Sequence, residues 1–330
     1  MIAKSLPIEF KSMQVVFSGF GLWEEDLPRL HCQSEPISIS IFPSIESDLF
    51  TDCFSSFVSR ALKADLIIFF VNGGYQFIHF IEKHRKNTAM GQLFSSAQTR
   101  RVLWSVDTHI MEKIERNLSN NALVHHLYSA HSGFIKDFDA SKTSWLPCCF
   151  RLKSLGALLR DRPLAKRKGN FANVVFPYNS STTGDRNYLA SKMKFLCDEM
   201  NISNLFGHIG SWERMIEYMI DAKVVLNLSM GQELNYRHFE TQAFNCIALE
   251  EITFEHSKID SDNGLIIPFN RDLSDFSEKL REAMEIASST EASEFKGQDH
   301  IIQGHTMLHR VASIISREAS VAVEVHKGLL

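Results

Sequence analysis

Arg237 and Glu240 stand three residues apart in Lys223-Val-Val-Leu-Asn-Leu-Ser-Met-Gly-Gln-Glu-Leu-Asn-Tyr-Arg-His-Phe-Glu, where an apolar run passes through a polar loop into helical spacing. A strand that enters a helix in this way presents orphan backbone N–H groups and the Arg237 cation to an anion. A carboxylate at Glu240 can accept both hydroxyls of a ribose while Arg237 neutralises a diphosphate. The same spacing equally describes a surface ion pair worth under about 1 kcal/mol. A second set, Asp107 and His109, follows the apolar run Val102–Val106. A carboxylate or imidazole at a strand end can take the proton of a hydroxyl nucleophile. Asp107 can instead cap a helix that contains Met111, Ile114 and Leu118, and His109 and His131 can be hydrogen-bonded structural imidazoles.

These residues need rigid elements beneath them. Short apolar runs alternate with longer amphipathic stretches, which predicts βαβ units around parallel sheets. Strands are expected at 14–18, 37–42, 66–71, 102–106, 126–130 and 143–146, then at 173–176, 204–206, 224–228, 247–249 and 265–267. Helices are expected at 48–63, 76–86, 186–200 and 235–244, with one long terminal helix from Lys296 that carries Ile301, Leu308, Val311 and Ile315 on one face. Leu66–Val71 is apolar throughout, as a central strand must be, whereas Ile37-Ser-Ile-Ser-Ile alternates and belongs nearer an edge. Open parallel sheets bind ligands beyond the carboxyl ends of their strands, so Gly19, Gly21, Asn72, Gly73 and His131 are candidates to face a ligand cleft. Gly19-Phe-Gly21 is half a dinucleotide fingerprint, with Glu24 where the third glycine would stand, and gives little support to a nicotinamide or flavin cofactor.

The expected organisation is two Rossmann-like domains, 1–150 and 171–300, joined by 151–170, with 301–330 returning toward the first. The join holds seven Lys/Arg against one Asp. It reads as a solvated linker or as a patch that touches phosphates or anionic lipid at the inner face of a membrane. The 330-residue chain has a formal net charge of −4, so no global basic field makes nucleic acid the default partner. Its longest apolar run, Leu66–Val71, is far short of the roughly 20 residues that span a bilayer, and the start of the chain lacks a secretory pattern. A cytoplasmic protein is the expectation. The six cysteines include no C-x-x-C and read as reduced, buried thiols. Asp137-Phe-Asp139 and Asp260-Ser-Asp262 have the spacing of a metal-binding carboxylate pair, but neither follows an apolar strand. They read as loop carboxylates, and no metal site is expected.

Val225-Leu-Asn-Leu-Ser229, Glu233-Leu-Asn235-Tyr-Arg237-His-Phe239-Glu240 and Ala243-Phe-Asn245-Cys-Ile247 together resemble the nucleotide-binding segment of GT-B glycosyltransferases. The nearest branch is the family 1-like one related to the spore-maturation CgeB-like proteins. Trp104-Ser-Val-Asp107, Trp145-Leu-Pro147 and His305-Thr306 with His309-Arg310 resemble further motifs of that branch, so the likeness runs from residue 100 onward. The resemblance implies two Rossmann-like domains and transfer of a sugar from a nucleotide-sugar donor to a glycan, lipid-linked or protein acceptor, without metal or cofactor. It implies donor binding by Asn227, Ser229, Glu233, Asn235, Arg237 and Glu240. Glu240 occupies the second, ribose-binding place of E-x7-E, Gln232 stands at the first, and Glu233 matches the acidic position of the nearer branch. Asn245 replaces a usual glycine, and Asn tolerates the left-handed conformation better than most residues. Two further readings are a degenerate GT-B protein that binds a donor or partner without catalysis, and a sugar-nucleotide epimerase.

Overall fold

The computed structural model describes residues 12–107, 112–120, 122–161, 165–178, 185–230, 233–259 and 266–327. The chain divides into two compact units, Met1–Ser129 with Phe134–Leu146 and Met307–Leu330, and Ala130–Gly133 with Pro147–Thr306.

The first unit is built on a parallel sheet. Its strands are β1 (Met13–Ser18), β3 (Ile37–Phe42), β4 (Leu66–Val71), β5 (Arg100–Ser105), β6 (His126–Ser129) and β7 (Thr143–Trp145), in the order β3-β1-β4-β5-β6-β7; a short β2 (Leu30–Cys32) precedes β3. The alternating Ile37–Phe42 run is an edge strand, and the wholly apolar β4 is interior and buried at every position. Helices α1 (Asp48–Ala61), α2 (Gly74–His84), α3 (Thr88–Ser95) and α4 (Glu112–Ser119) connect the strands. Ser47 starts α1 by accepting the Leu49 N–H, and the Gln76 side chain accepts the Gly73 N–H at 2.6 Å to start α2. Phenylalanines fill the core edge-on: Phe50 against Phe57 and Phe69 against Phe77, each with centroids 5.0 Å apart, an arrangement that adds about 0.5–1.5 kcal/mol beyond area burial.

The second unit carries α5 (Leu155–Asp161) and strands β8 (Val174–Pro177), β9 (Asn204–Gly207), β10 (Val224–Asn227), β11 (Ala248–Glu251) and β12 (Ile266–Phe269) in the parallel order β12-β11-β10-β8-β9. Helices α6 (Arg186–Glu199), α7 (Trp212–Asp221), α8 (Tyr236–Ala243), α9 (Phe276–Ser289) and α10 (Gly297–Gly304) belong to it. In each sheet the order reverses between the first strand and the third, which makes the gaps β1/β4 and β8/β10 the switch points where ligands bind in doubly wound sheets.

Two expectations are revised. The basic stretch clusters with the second unit, and two of its cations are spent internally. Arg151 stacks over the Tyr236 ring at 3.7 Å, and Arg167 donates to the Thr290 carbonyl at 2.6 Å while covering the Phe295 ring. The single terminal helix is two, α10 in the second unit and α11 (Met307–Ala319) in the first. Helix α10 ends at Gly304, and His305 then offers its carbonyl to the Phe150 N–H at 2.8 Å instead of continuing the helix. Tyr128 donates to Glu318 of α11 at 2.5 Å, Arg100 pairs with the same carboxylate, and β13 (Val323–Val325) runs antiparallel to β2. Among the described residues no helix is long and apolar enough to cross a membrane.

Candidate active site

The expected donor-binding residues gather where β10 feeds α8, beside the end of β11. Asn235 caps α8, its Oδ1 accepting the Arg237 N–H at 2.9 Å and the His238 N–H at 3.4 Å. Its amide donates to Asn227 Oδ1 at 2.9 Å, and the Asn227 amide donates to Glu250 Oε1 at 2.9 Å. Ser229 gives both its N–H and its hydroxyl to Glu251, at 3.1 and 3.0 Å. Asn227, Ser229 and Asn235 therefore spend these polar groups on holding the start of α8. Glu233 accepts the Met230 N–H at 3.1 Å and sits 3.7 Å from His131, so two residues from distant expected elements meet.

Arg237 and Glu240 form an ion pair at 2.7 Å, with side chains 13% and 1% exposed. The surface-pair reading thus fails. Arg237 Nη1 takes Oε2, while Oε1 receives no hydrogen bond among the described residues. Arg237 also approaches the sulfurs of Met219 and Met215, at 2.8 and 3.1 Å, and lines a cavity of about 240 Å³ with Pro177, Tyr178, Trp212 and the loop Gly207–Ser211. Gly207 and Gly210 adopt φ of +114° and +64° in that loop, conformations that glycine enters without a Cβ penalty.

Three charged residues had no spacing signal. Arg186, the first residue of α6, covers the rings of Phe176 and Tyr178. Burial pushes its guanidinium down to about 10, against the attraction of Glu233 and with the repulsion of Arg237 and Arg271. Arg271 is held at 2.7 Å by Glu251 and at 2.6 Å by Asp185. Arg186, Arg237 and Arg271 thus make a cationic group at the strand ends of this unit. Buried Glu255 accepts the Ser132 N–H at 2.5 Å and the Leu234 N–H at 3.0 Å, which ties the 130–133 segment to the loop before α8.

His238, Glu250 and His256 place ligand atoms within 4.8 Å of one another. The Thr253 N–H lies 3.0 Å from His256 Nδ1, and His256 Nε2 stands 3.6 Å from Glu250. His238 Nδ1 meets Glu250 Oε2 at 3.1 Å within the same group. Burial pushes the Glu250 carboxyl up, but the charge of His238 and hydrogen bonds from His238 and His256 outweigh it and hold the group at about 2. Asp139 closes a turn by accepting the Ser141 N–H and hydroxyl at 2.9 and 2.6 Å. Asp260 and Asp262 lie outside the described residues, as do His109 and Gln232.

In the first unit, Gly19, Gly21, Asn72 and Gly73 follow β1 and β4 at the switch point. Asp107 joins them, its N–H donating to the Asn72 carbonyl at 2.5 Å. Gly19 has a packing reason to be glycine: a Cβ there would meet Phe17 and Phe70 at 2.8 Å. Asn72 and Gly73 are bound to the neighbouring Glu46 and Gln76.

Residues 194–316 match the model of a family described as glycosyl transferase-like. No curated protein matches the chain. Among solved structures, Anabaena HepE in complex with UDP-glucose is 12% identical over 93% of this chain and 100% of that one, with a TM-score of 0.52. A glycosyltransferase from Rickettsia africae is 8% identical over 94% and 99%, with a TM-score of 0.54. An alpha-glucosyltransferase in complex with UDP-glucose and DNA containing an abasic site is 12% identical over 94% and 99%, with a TM-score of 0.51. The chain has the GT-B fold of glycosyltransferases, and the segment that matches the glycosyl transferase-like family is the one that carries Arg237 and Glu240.

Proposed function

We propose that this protein is a glycosyltransferase of the CgeB-like branch that moves a sugar from a nucleotide-sugar donor to a glycan or other hydroxyl acceptor. The observation that carries the reading is the buried Arg237–Glu240 pair at the start of α8, beside Arg186 and Arg271. In this reading Glu240 turns Oε1 to the ribose hydroxyls while Oε2 stays on Arg237, and the arginines meet the diphosphate. As the glycosidic bond breaks, negative charge grows on that diphosphate, and fixed cations with helix N–H groups stabilise it without a metal ion. Asn227, Ser229 and Asn235 act by positioning α8, and Glu233 with His131 stands at the sugar end. Asp107, at the end of buried β5, takes the acceptor proton if the reaction inverts the anomeric centre.

A second reading, a donor-binding subunit without transfer, is favoured by Gln232 at the first place of E-x7-E. One assay separates the two: release of nucleoside diphosphate from UDP-, GDP-, dTDP-, ADP- and CMP-sugars, in EDTA, with product analysis. Turnover of one donor class in EDTA supports the transferase. A donor that binds but is never consumed supports the second reading, and strict dependence on a divalent ion rejects the metal-free chemistry.

A further inference from the structure

A second cavity, of about 640 Å³, lies within the first unit between α1 and α2. Its volume falls in the range of roughly 300–1,000 Å³ typical of small-molecule sites. One wall is Glu46, Asp48 and Thr51, from the loop after β3 and the first turn of α1, and the other is Tyr75, His79 and Lys83 of α2. The Glu46 wall is fixed from below. Asn72, directly after β4, donates its N–H and its amide to the two Glu46 oxygens at 2.8 and 2.6 Å. Asp48, Thr51, Tyr75, His79 and Lys83 make no side-chain hydrogen bond or ion pair among the described residues, and Tyr75 is 41% exposed.

The charges narrow the ligand. Two carboxylates face one ammonium, and His84, at the end of the cavity, lies flat on Phe54 at 4.1 Å where burial and Lys83 lower its proton affinity. A lining with net negative charge disfavours phosphates, nucleotides and anionic lipid heads. A wholly apolar ligand would strip water from the carboxylates and the ammonium without replacing it. What fits is an uncharged, polyhydroxylated ring: adjacent hydroxyls donate to Glu46 and Asp48, the ring oxygen and a further hydroxyl oxygen accept from His79 and Lys83, and the C–H face lies on Tyr75.

We propose that the groove between α1 and α2 is a carbohydrate-binding subsite that seats a neutral pyranose. That this ring belongs to the acceptor glycan rests on the transferase reading above.

Saturation-transfer NMR on the full chain tests it, with methyl α-glucoside, methyl β-galactoside, N-acetylglucosamine and maltotriose as neutral probes and glucose 6-phosphate as the charged one. At least one neutral probe should bind and outcompete glucose 6-phosphate. Tyr75→Ala and Asp48→Asn, both surface changes, should each reduce its signal about fivefold or more, while nucleotide-sugar affinity stays as in the unaltered chain. Absence of binding by every neutral probe, an unchanged signal in both variants, or preference for the phosphate overturns the proposal. If a sugar binds as described and no nucleotide sugar does, the subsite stands and the transferase reading falls; the reverse pattern removes the subsite alone.

Discussion

Glu240 is buried, and the cation it faces is Arg237, so the pair is held by mutual compensation. Glu240→Leu leaves that cation without its carboxylate and should cost about 3 kcal/mol of stability. Glu240→Gln keeps the shape and an acceptor oxygen, and should cost less. Donor affinity in Glu240→Gln should nonetheless fall about tenfold or more, because a charge-assisted bond to ribose becomes a neutral one. Calorimetric titration and thermal denaturation of the two variants check this. Asp107→Asn should lower kcat by roughly 10²–10⁴ with donor affinity intact if Asp107 is the base. If it only caps α4, turnover should persist, since Asn caps about as well as Asp. The Arg237–Glu240 partnership was legible because i and i+3 share a helix face. Arg186, Arg271 and Glu255 were not, because their partners are set by the end of β8, by the pairing of β11 with β12 and by the 130–133 segment, which no local spacing encodes.

Helix α8 depends on Asn235 twice, through the cap to Arg237 and His238 and through the amide to Asn227. Asn235→Ala loses both and should destabilise the protein by about 1 kcal/mol. Asn235→Asp keeps the cap, so it should retain most of the stability, while losing the donor to Asn227 should raise the KM for the nucleotide sugar; steady-state kinetics beside thermal melts separate the two effects. Gly19→Ala should cost about 1–3 kcal/mol through the clash with Phe17 and Phe70, read as a lowered denaturant midpoint. The long strands were legible as apolar runs, and Asn245 does adopt positive φ, at +52°. The break between α10 and α11 was hidden because Ile301, Leu308, Val311 and Ile315 keep helical spacing across it. Its cause is a non-local bond from Phe150. Three-residue strands such as β2 and β13 carry too little alternation to be seen alone.

At the scale of the molecule, buried histidines set the pH response. Burial pushes His126 and His309 down to about 4, opposed at His126 by Glu318 and reinforced at His309 by Arg310 and Lys327. The unfolded chain therefore takes up protons first, and stability should fall as pH drops from about 6.5 toward 4. His256 is shifted the other way: burial lowers it, but Glu250 outweighs that and raises it. Its contribution is present below the ordinary value of 6.5 and is lost as pH rises through the folded one. The melting temperature should peak near neutrality, and His256→Gln should flatten the alkaline side. The proposed donor site draws on one unit, where β8, β10 and β11 end around α8, so binding of a nucleotide sugar there is the claim on which the rest depends. The most direct measurement is calorimetric titration of the full chain and of Glu240→Gln with UDP-, GDP-, dTDP-, ADP- and CMP-sugars. The account predicts saturable 1:1 binding of one donor class, weakened about tenfold or more by the substitution. Binding of none, or equal affinity in the two proteins, would contradict it.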